Sequence, residues 1–304
     1  MPPTISELFK VPSVSAAALP TMGVEVEIEW PSSPAGNHPS NLTYWDIVED
    51  GSLRYGGVEY VSIPLFPQMW ETAMSELNEA IKGYDVHPTA GARCSVHCHI
   101  NFSSLIPEQV LSFIMGWVLY ESFLYTASGK SRYTNTYSPG MSSCYSQVEQ
   151  LSRLYRYTGE QDYLGFSSIA AGFEKYAGLN IGSLSTFGTV EARSHEGTTD
   201  TLRILDWMGV LGQLYSYTVD KTAMEVLQLA GKDEWQNVFP NSVHDHPYFL
   251  HNLCNATAIA SLAPPSRRRR TAPPVTEDLA EMFRQARSTT VSENFLHTDT
   301  STNF

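Results

Sequence analysis

The sequence predicts an α+β domain built on a mostly antiparallel sheet. Three observations carry that expectation. Apolar and polar residues alternate with period two in four short runs. These runs occur in clusters rather than in strict strand–helix–strand succession, and longer stretches with apolar residues at helical spacing lie between them.

Taken in order, residues 1–21 are rich in Pro, Ser and Ala and read as a flexible lead. The stretch "GVEVEIEW" marks a strand at 22–30. Successive strand side chains point to opposite faces, so Val24, Val26 and Ile28 line one side and Glu25, Glu27 and Glu29 the other. Adjacent carboxylates on such a face lie roughly 7 Å apart and, at an effective dielectric of about 20, repel by roughly 2 kcal/mol per pair. A solvated, aggregation-resisting outer face tolerates this, and so does a face completed by cations.

A loop follows at 31–41, "PSSPAGNHPSN", with strands at 44–48, 57–64 and 93–102 and a helix at 68–83. The run "PEQVLSFIMGWVLYESFLY" opens on Pro107, is apolar on nearly every side and is interrupted by Glu121. It reads as a buried core helix at 107–127, too short for a membrane span. A helix at 145–157 precedes a hairpin at about 175–194 with its turn at "STFG". A last long helix, 199–229, starts after the cap "TTD" and carries Leu202, Leu205, Trp207 and Met208 at core-like spacing. "APPSRRRRTAPP" makes 263–275 an exposed Pro/Arg-rich linker around Arg267 to Arg270, and 276–304 a short amphipathic helix with a mobile tail.

Across its 304 residues the chain carries a formal charge of -13. Phosphate-backbone binding is cation-driven, so a general nucleic-acid binder is disfavoured, while cationic or metal-bridged ligands suit the charge. Four cysteines, Cys94, Cys98, Cys144 and Cys254, are too few for a disulfide scaffold, and no signal-peptide pattern opens the chain. A reducing cytoplasm is the expected location. No pattern reports an oligomer interface.

Polar-faced strands recur. In "CSVHCHINF", alternation puts Ser95, His97, His99 and Asn101 on one face and Cys94, Val96, Cys98 and Ile100 on the other. In "TVEARSHEG", Glu191 and Arg193 share a face. Glu59 sits mid-strand in "GGVEYVS", after a turn built on Asp50, Gly51 and Ser52. Singly, a strand histidine is a packing residue and Glu-x-Arg a cross-strand ion pair. Together, Glu25, Glu27, Glu59, His97 and Glu191 on one concave face need neutralising. Oxygen ligands with one or two imidazoles suit Mg2+ or Mn2+ better than zinc, because alternation sends the thiols of "CSVHCH" away from its imidazoles. The cluster "HDHPYFLH", with His244, His246 and His251, reads as helix-start and packing residues.

The ordered segments "GVEVEIE", "EDGSL…GGVEYVSIPL", "SVHCHINFS", "SGKSRYTNTY" and "YAGLNIGSL…GTVEARSHEGTTD" resemble the amidoligase family, carboxylate-amine ligases related to glutamine synthetase and glutamate-cysteine ligase. The resemblance runs from about residue 22 to 215. It implies a catalytic domain at 22–262 with a curved sheet, helices on its convex side, as in the glutamine synthetase catalytic domain, and a concave face that binds ATP with divalent cations. It implies Glu25, Glu27, Glu59, His97 and Glu191 as ligands for Mg2+ or Mn2+. Arg193 faces the transferred phosphate, Arg132 grips phosphate or the substrate carboxylate, and Asp50 and His99 are further catalytic and cofactor contacts. Where the family has a glycine two residues before the first histidine of His-x-His, this chain has Ser95.

The implied reaction joins a carboxylate, small or peptide-borne, to an amine through an acyl phosphate, releasing ADP and phosphate. The acceptor is a polyamine, an amino acid or a macromolecule-borne amine. Relatives include proteins of bacterial viruses, for which the location is the host cytoplasm. A guanidino-kinase-like phosphotransferase and a non-catalytic nucleotide- or metal-binding module are the alternatives.

Overall fold

The computed structural model describes residues 1–15, 17–30, 39, 41–82, 89–129, 132, 135, 138–141 and 145–230, and all structural statements concern these. The arginine run, the histidines at 244–251, Cys144, Cys254 and the expected helix after 276 lie outside them.

The first element is a short helix, α1 (Ile5–Phe9), inside the segment expected to be a flexible lead. Its cause is local and then tertiary. Thr4 and Glu7 form a capping box that satisfies two otherwise orphaned amides. Ile5 is fully buried, and the amides of Ile5 and Ser6 donate to the carbonyls of Leu105 and Ser103 at 2.8 Å each.

Strands β1 (Met22–Ile28), β2 (Trp45–Glu49) and β3 (Val58–Ser62) come next, then helix α2 (Trp70–Lys82), entered through a single helical turn at Pro67–Met69. Strand β4 (Ser95–Asn101) leads into α3 (Pro107–Ser128), α4 (Tyr145–Gly159) and α5 (Tyr163–Ala171). The chain then forms β5 (Leu179–Asn180), α6 (Leu184–Phe187), β6 (Thr189–Glu196), α7 (Thr201–Thr218) and α8 (Ala223–Ala230).

The six strands form one curved antiparallel sheet in the order β2-β3-β1-β4-β6-β5, the α+β architecture that the alternation predicts. Its apolar face, with Val24, Val26, Val96, Cys98, Ile100, Val190 and Ala192, is buried under helices, α3 packing on β6 and α7 on β4. Trp117 and Trp207 meet edge to face between these two helices, 6.4 Å between ring centroids. Gly116 lets α3 approach α7, since a Cβ there would lie 2.6 Å from Thr218.

Two elements depart from their expected outlines. The single helix expected over 199–229 is two helices, because Thr222 and Glu225 restart the chain with their own capping box: the Thr222 amide and hydroxyl donate to Glu225 and the Glu225 amide to Thr222. Ser112 and Gln109 of α3 take the carbonyls of Lys221 and Val219 left free at that break. The "STFG" turn is the end of α6, closed by Gly188 at φ 68°, and the strand before it is only two residues long.

One irregularity matters for the site. Pairing between β4 and β6 steps from Val96–His195 to Cys98–Ala192, so His97 alone faces both Arg193 and Ser194. This β-bulge restores His195 to the apolar face, where its ring lies 5.6 Å from that of Trp207.

Candidate active site

The register of the four central strands assembles the polar face. Glu27 pairs with Glu59, Glu25 with His97, and His99 with Glu191, so side chains from β3, β1, β4 and β6 stand side by side. Two groups bring ligand atoms within 4.8 Å of one another: Glu25, Glu59 and His97, and Glu25, His99 and Glu191. Glu25 belongs to both. Its Oε2 is 3.1 Å from His97 Nδ1 and its Oε1 is 3.3 Å from His99 Nε2. Glu191 Oε1 lies 3.5 Å from His97 Nδ1 and also accepts from Arg193 Nη1.

Neighbours fix these groups. Asn180 of β5, opposite Glu191, donates from Nδ2 to Glu191 Oε2 at 2.7 Å while its Oδ1 accepts from the Gly182 amide. His99 Nδ1 meets the Thr189 hydroxyl at 2.9 Å. Glu27 stands outside both groups, its Oε2 accepting from the Ser95 amide and hydroxyl at 2.7 and 2.8 Å. Glu29, the third acid of the opening strand, is buried and accepts from the Arg54 amide at 3.0 Å, so it braces the loop before β3.

Electrostatics differ from group to group. Burial works against ionised Glu25, but hydrogen bonds from His97 and His99 outweigh it and hold its carboxyl well below the usual range. Burial likewise opposes ionised Glu191, and the charges of His97, Arg193 and His99 with the Asn180 bond prevail. His99 is raised above its ordinary value: burial lowers it, and the Glu25 bond and the carboxylates of Glu191 and Glu25 more than compensate. Glu59 has no such partner among the described residues. Burial first, then the charges of Glu25, Glu27, Asp50 and Glu191, push it up to about 8.

A cleft of about 620 Å³ opens over this face. Glu25, Glu27, Glu59 and Asp50 supply its acids, and Arg93, Arg132, Lys175 and Arg193 its cations. Arg132 and Arg193 each bury an Nε without a hydrogen-bond partner among the described residues, and Arg132 Nη2 reaches the Arg193 carbonyl at 3.4 Å. Asp50 accepts from the amide and hydroxyl of Ser52. Beyond Glu25, on the same face, lies a second and largely apolar cleft of about 510 Å³ that Pro12, Val14, Met22, Val61, Phe187 and His99 help to line.

A comparison with known families matches residues 21–212 to the family described as "Putative amidoligase enzyme", more than half of the chain. This chain belongs to the amidoligase family. At that level it is a ligase whose substrates are a carboxylate and an amine. No curated protein matches the chain. No helix among the described residues is long and apolar enough to cross a membrane.

The nine residues expected in the site lie on or beside this face: Glu25, Glu27, Glu59, His97, His99, Glu191 and Arg193 on strands, with Asp50 and Arg132 beside them. Asn180, Thr189, Arg93 and Lys175 were not legible as site residues. Asn180 had a signal as a polar amide between the apolar Leu179 and Ile181, and Thr189 had one as the residue two before Glu191 on the same alternating face; Arg93 and Lys175 had none.

Proposed function

We propose that this amidoligase-family chain forms an amide from a carboxylate and an amine at the expense of ATP, with Mg2+ or Mn2+ as cofactor. The observation that carries the reading is the convergence of Glu25, Glu59, Glu191, His97 and His99 beside Arg132 and Arg193, whose buried Nε atoms have no hydrogen-bond partner among the described residues. Three carboxylates and two imidazoles this close form a hard, anionic donor set that fits a divalent cation. When bound, that cation supplies charge neutralisation for the nucleotide's phosphates.

The protein's own groups divide the remaining work. The apolar cleft suits a flat base, and the polar cleft suits the two reacting substrates, with the carboxylates and imidazoles between them. Arg132 and Lys175 orient the substrate carboxylate, whose oxygen attacks the γ-phosphorus as the bond to ADP breaks. Arg193, held against Glu191, stabilises the charge on the moving phosphoryl group. The amine then attacks the acyl carbon, phosphate leaves, and the amine proton passes to Asp50 on the cleft wall.

The test is a screen of acids and amines for ADP release, with mass spectrometry of the product. Arg193→Ala is expected to bind ATP and Mg2+ normally and to lose turnover by about 100-fold or more, the scale of removing one charge-stabilising donor. ADP release undiminished in Arg193→Ala, or a stable phosphorylated product in place of an amide, would overturn the assignment.

A further inference from the structure

We propose that Ser95 is a positioning residue that fixes the protonation pattern of His97, so that Nδ1 carries the lone pair offered to the cation. The inference rests on the metal-dependent reading above and deepens it.

The Ser95 hydroxyl lies 2.8 Å from Glu27 Oε2 and 2.8 Å from His97 Nε2. A hydroxyl has one hydrogen and a carboxylate oxygen only accepts, so that hydrogen goes to Glu27. Toward His97 the Ser95 oxygen is then an acceptor, and Nε2 must carry the hydrogen. The ring and the hydroxyl are both buried at the floor of the cleft. The Ser95 amide donates to the same Glu27 oxygen at 2.7 Å, which pins the acceptor at the head of the relay.

With Nε2 committed to its hydrogen, Nδ1 is the ring atom that changes partner: it hydrogen-bonds Glu25 when no cation is bound, and turns its lone pair to the cation in the loaded site. That atom sits 3.1 Å from Glu25 Oε2 and 3.5 Å from Glu191 Oε1, and it belongs to the group with Glu25 and Glu59. A lone pair among carboxylate oxygens is repulsive until a positive charge joins them, and a cation turns each of these acceptors into a ligand. Glu27 therefore acts through two side chains on an atom that it does not touch.

His99 differs. Its Nδ1 meets Thr189, whose hydroxyl bonds no carboxylate among the described residues, so nothing commits that hydrogen. A residue without a side-chain hydroxyl at position 95 could not form the relay.

Two measurements on the full chain test the inference. Mn2+ alone is titrated against the wild type, Ser95→Ala and Ser95→Thr, with the free ion read by electron paramagnetic resonance. Ser95→Ala is expected to weaken Mn2+ binding by about 10- to 100-fold, the usual loss for a residue that orients a ligand, and Ser95→Thr to keep most of it. Nitrogen-15 spectra of the imidazoles in the Mg2+-loaded wild type, with His97→Ala for assignment, are expected to show hydrogen on Nε2 and none on Nδ1. Hydrogen on Nδ1, or Ser95→Ala binding Mn2+ as the wild type does, overturns the relay and leaves the ligase reading standing. A wild type that binds no Mn2+ overturns both. Should Ser95→Ala fail to fold, the wild-type spectrum decides.

Discussion

Glu59→Gln is expected to stabilise the metal-free protein, and to do so only above acidic pH. The carboxyl of Glu59 moves from an ordinary 4.5 to about 8 on folding, chiefly because it is buried and secondarily because Glu25, Glu27, Asp50 and Glu191 surround it. Below pH 4.5 both folded and unfolded chains hold the proton, and the wild type loses nothing. Between 4.5 and 8 the unfolded chain gives up its proton while the folded chain keeps it, so the wild type weakens steadily as pH rises, and above 8 the loss is constant. Taken whole, the shift amounts to about 5 kcal/mol. Glu59 is only half-buried, and screening by water brings this to about 2 kcal/mol. A neutral amide escapes that cost, so melting of Glu59→Gln should match the wild type near pH 4 and exceed it by roughly 4–8 °C near pH 8. Excess Mg2+ should shrink the difference, because a nearby cation favours the ionised acid. Melting curves by circular dichroism across pH, with and without Mg2+, measure both effects. A melting difference independent of pH would refute the reasoning.

Two further outcomes follow from the fold. Gly188→Ala should destabilise by about 1–2 kcal/mol from its left-handed φ of 68° alone, and more because the new Cβ would lie 2.9 Å from Ser103; an unchanged urea midpoint would contradict this. Asp200→Ala removes the acceptor for the Leu202 and Arg203 amides at the start of α7 and should cost about 1 kcal/mol, with Asp200→Asn close to wild type in the same denaturation assay.

The central sheet was legible because a strand's two faces are written in its sequence. Once Glu25, Glu27, Glu59, His97, His99 and Glu191 alternate with apolar neighbours, burying those neighbours puts the polar set on the other side. Register is a tertiary property, and it decides which of these groups meet. That is why Glu27, on the same strand face as Glu25, ends beside Ser95 rather than in a ligand group, and why His99 joins one. The short helix α1 and the α7–α8 break carried local signals, the capping boxes Thr4–Glu7 and Thr222–Glu225, that apolar periodicity overrides when read over long windows. Lys175 and Arg93 are exposed loop residues whose place over the cleft depends on the whole fold.

The extra residue that β6 carries opposite His97 also sets a rule for what this segment tolerates. Ser194 is the surplus residue: without it the ladder would run evenly, with the imidazole at 195 still turned toward Trp207 and the acid at 196 still on the opposite face beside Arg203. The strand beyond the bulge keeps its orientation only because one residue has been taken out of the alternation. The stretch can therefore give up that residue without turning inside out, and what it holds at 195 and 196 constrains the protein more tightly than its length.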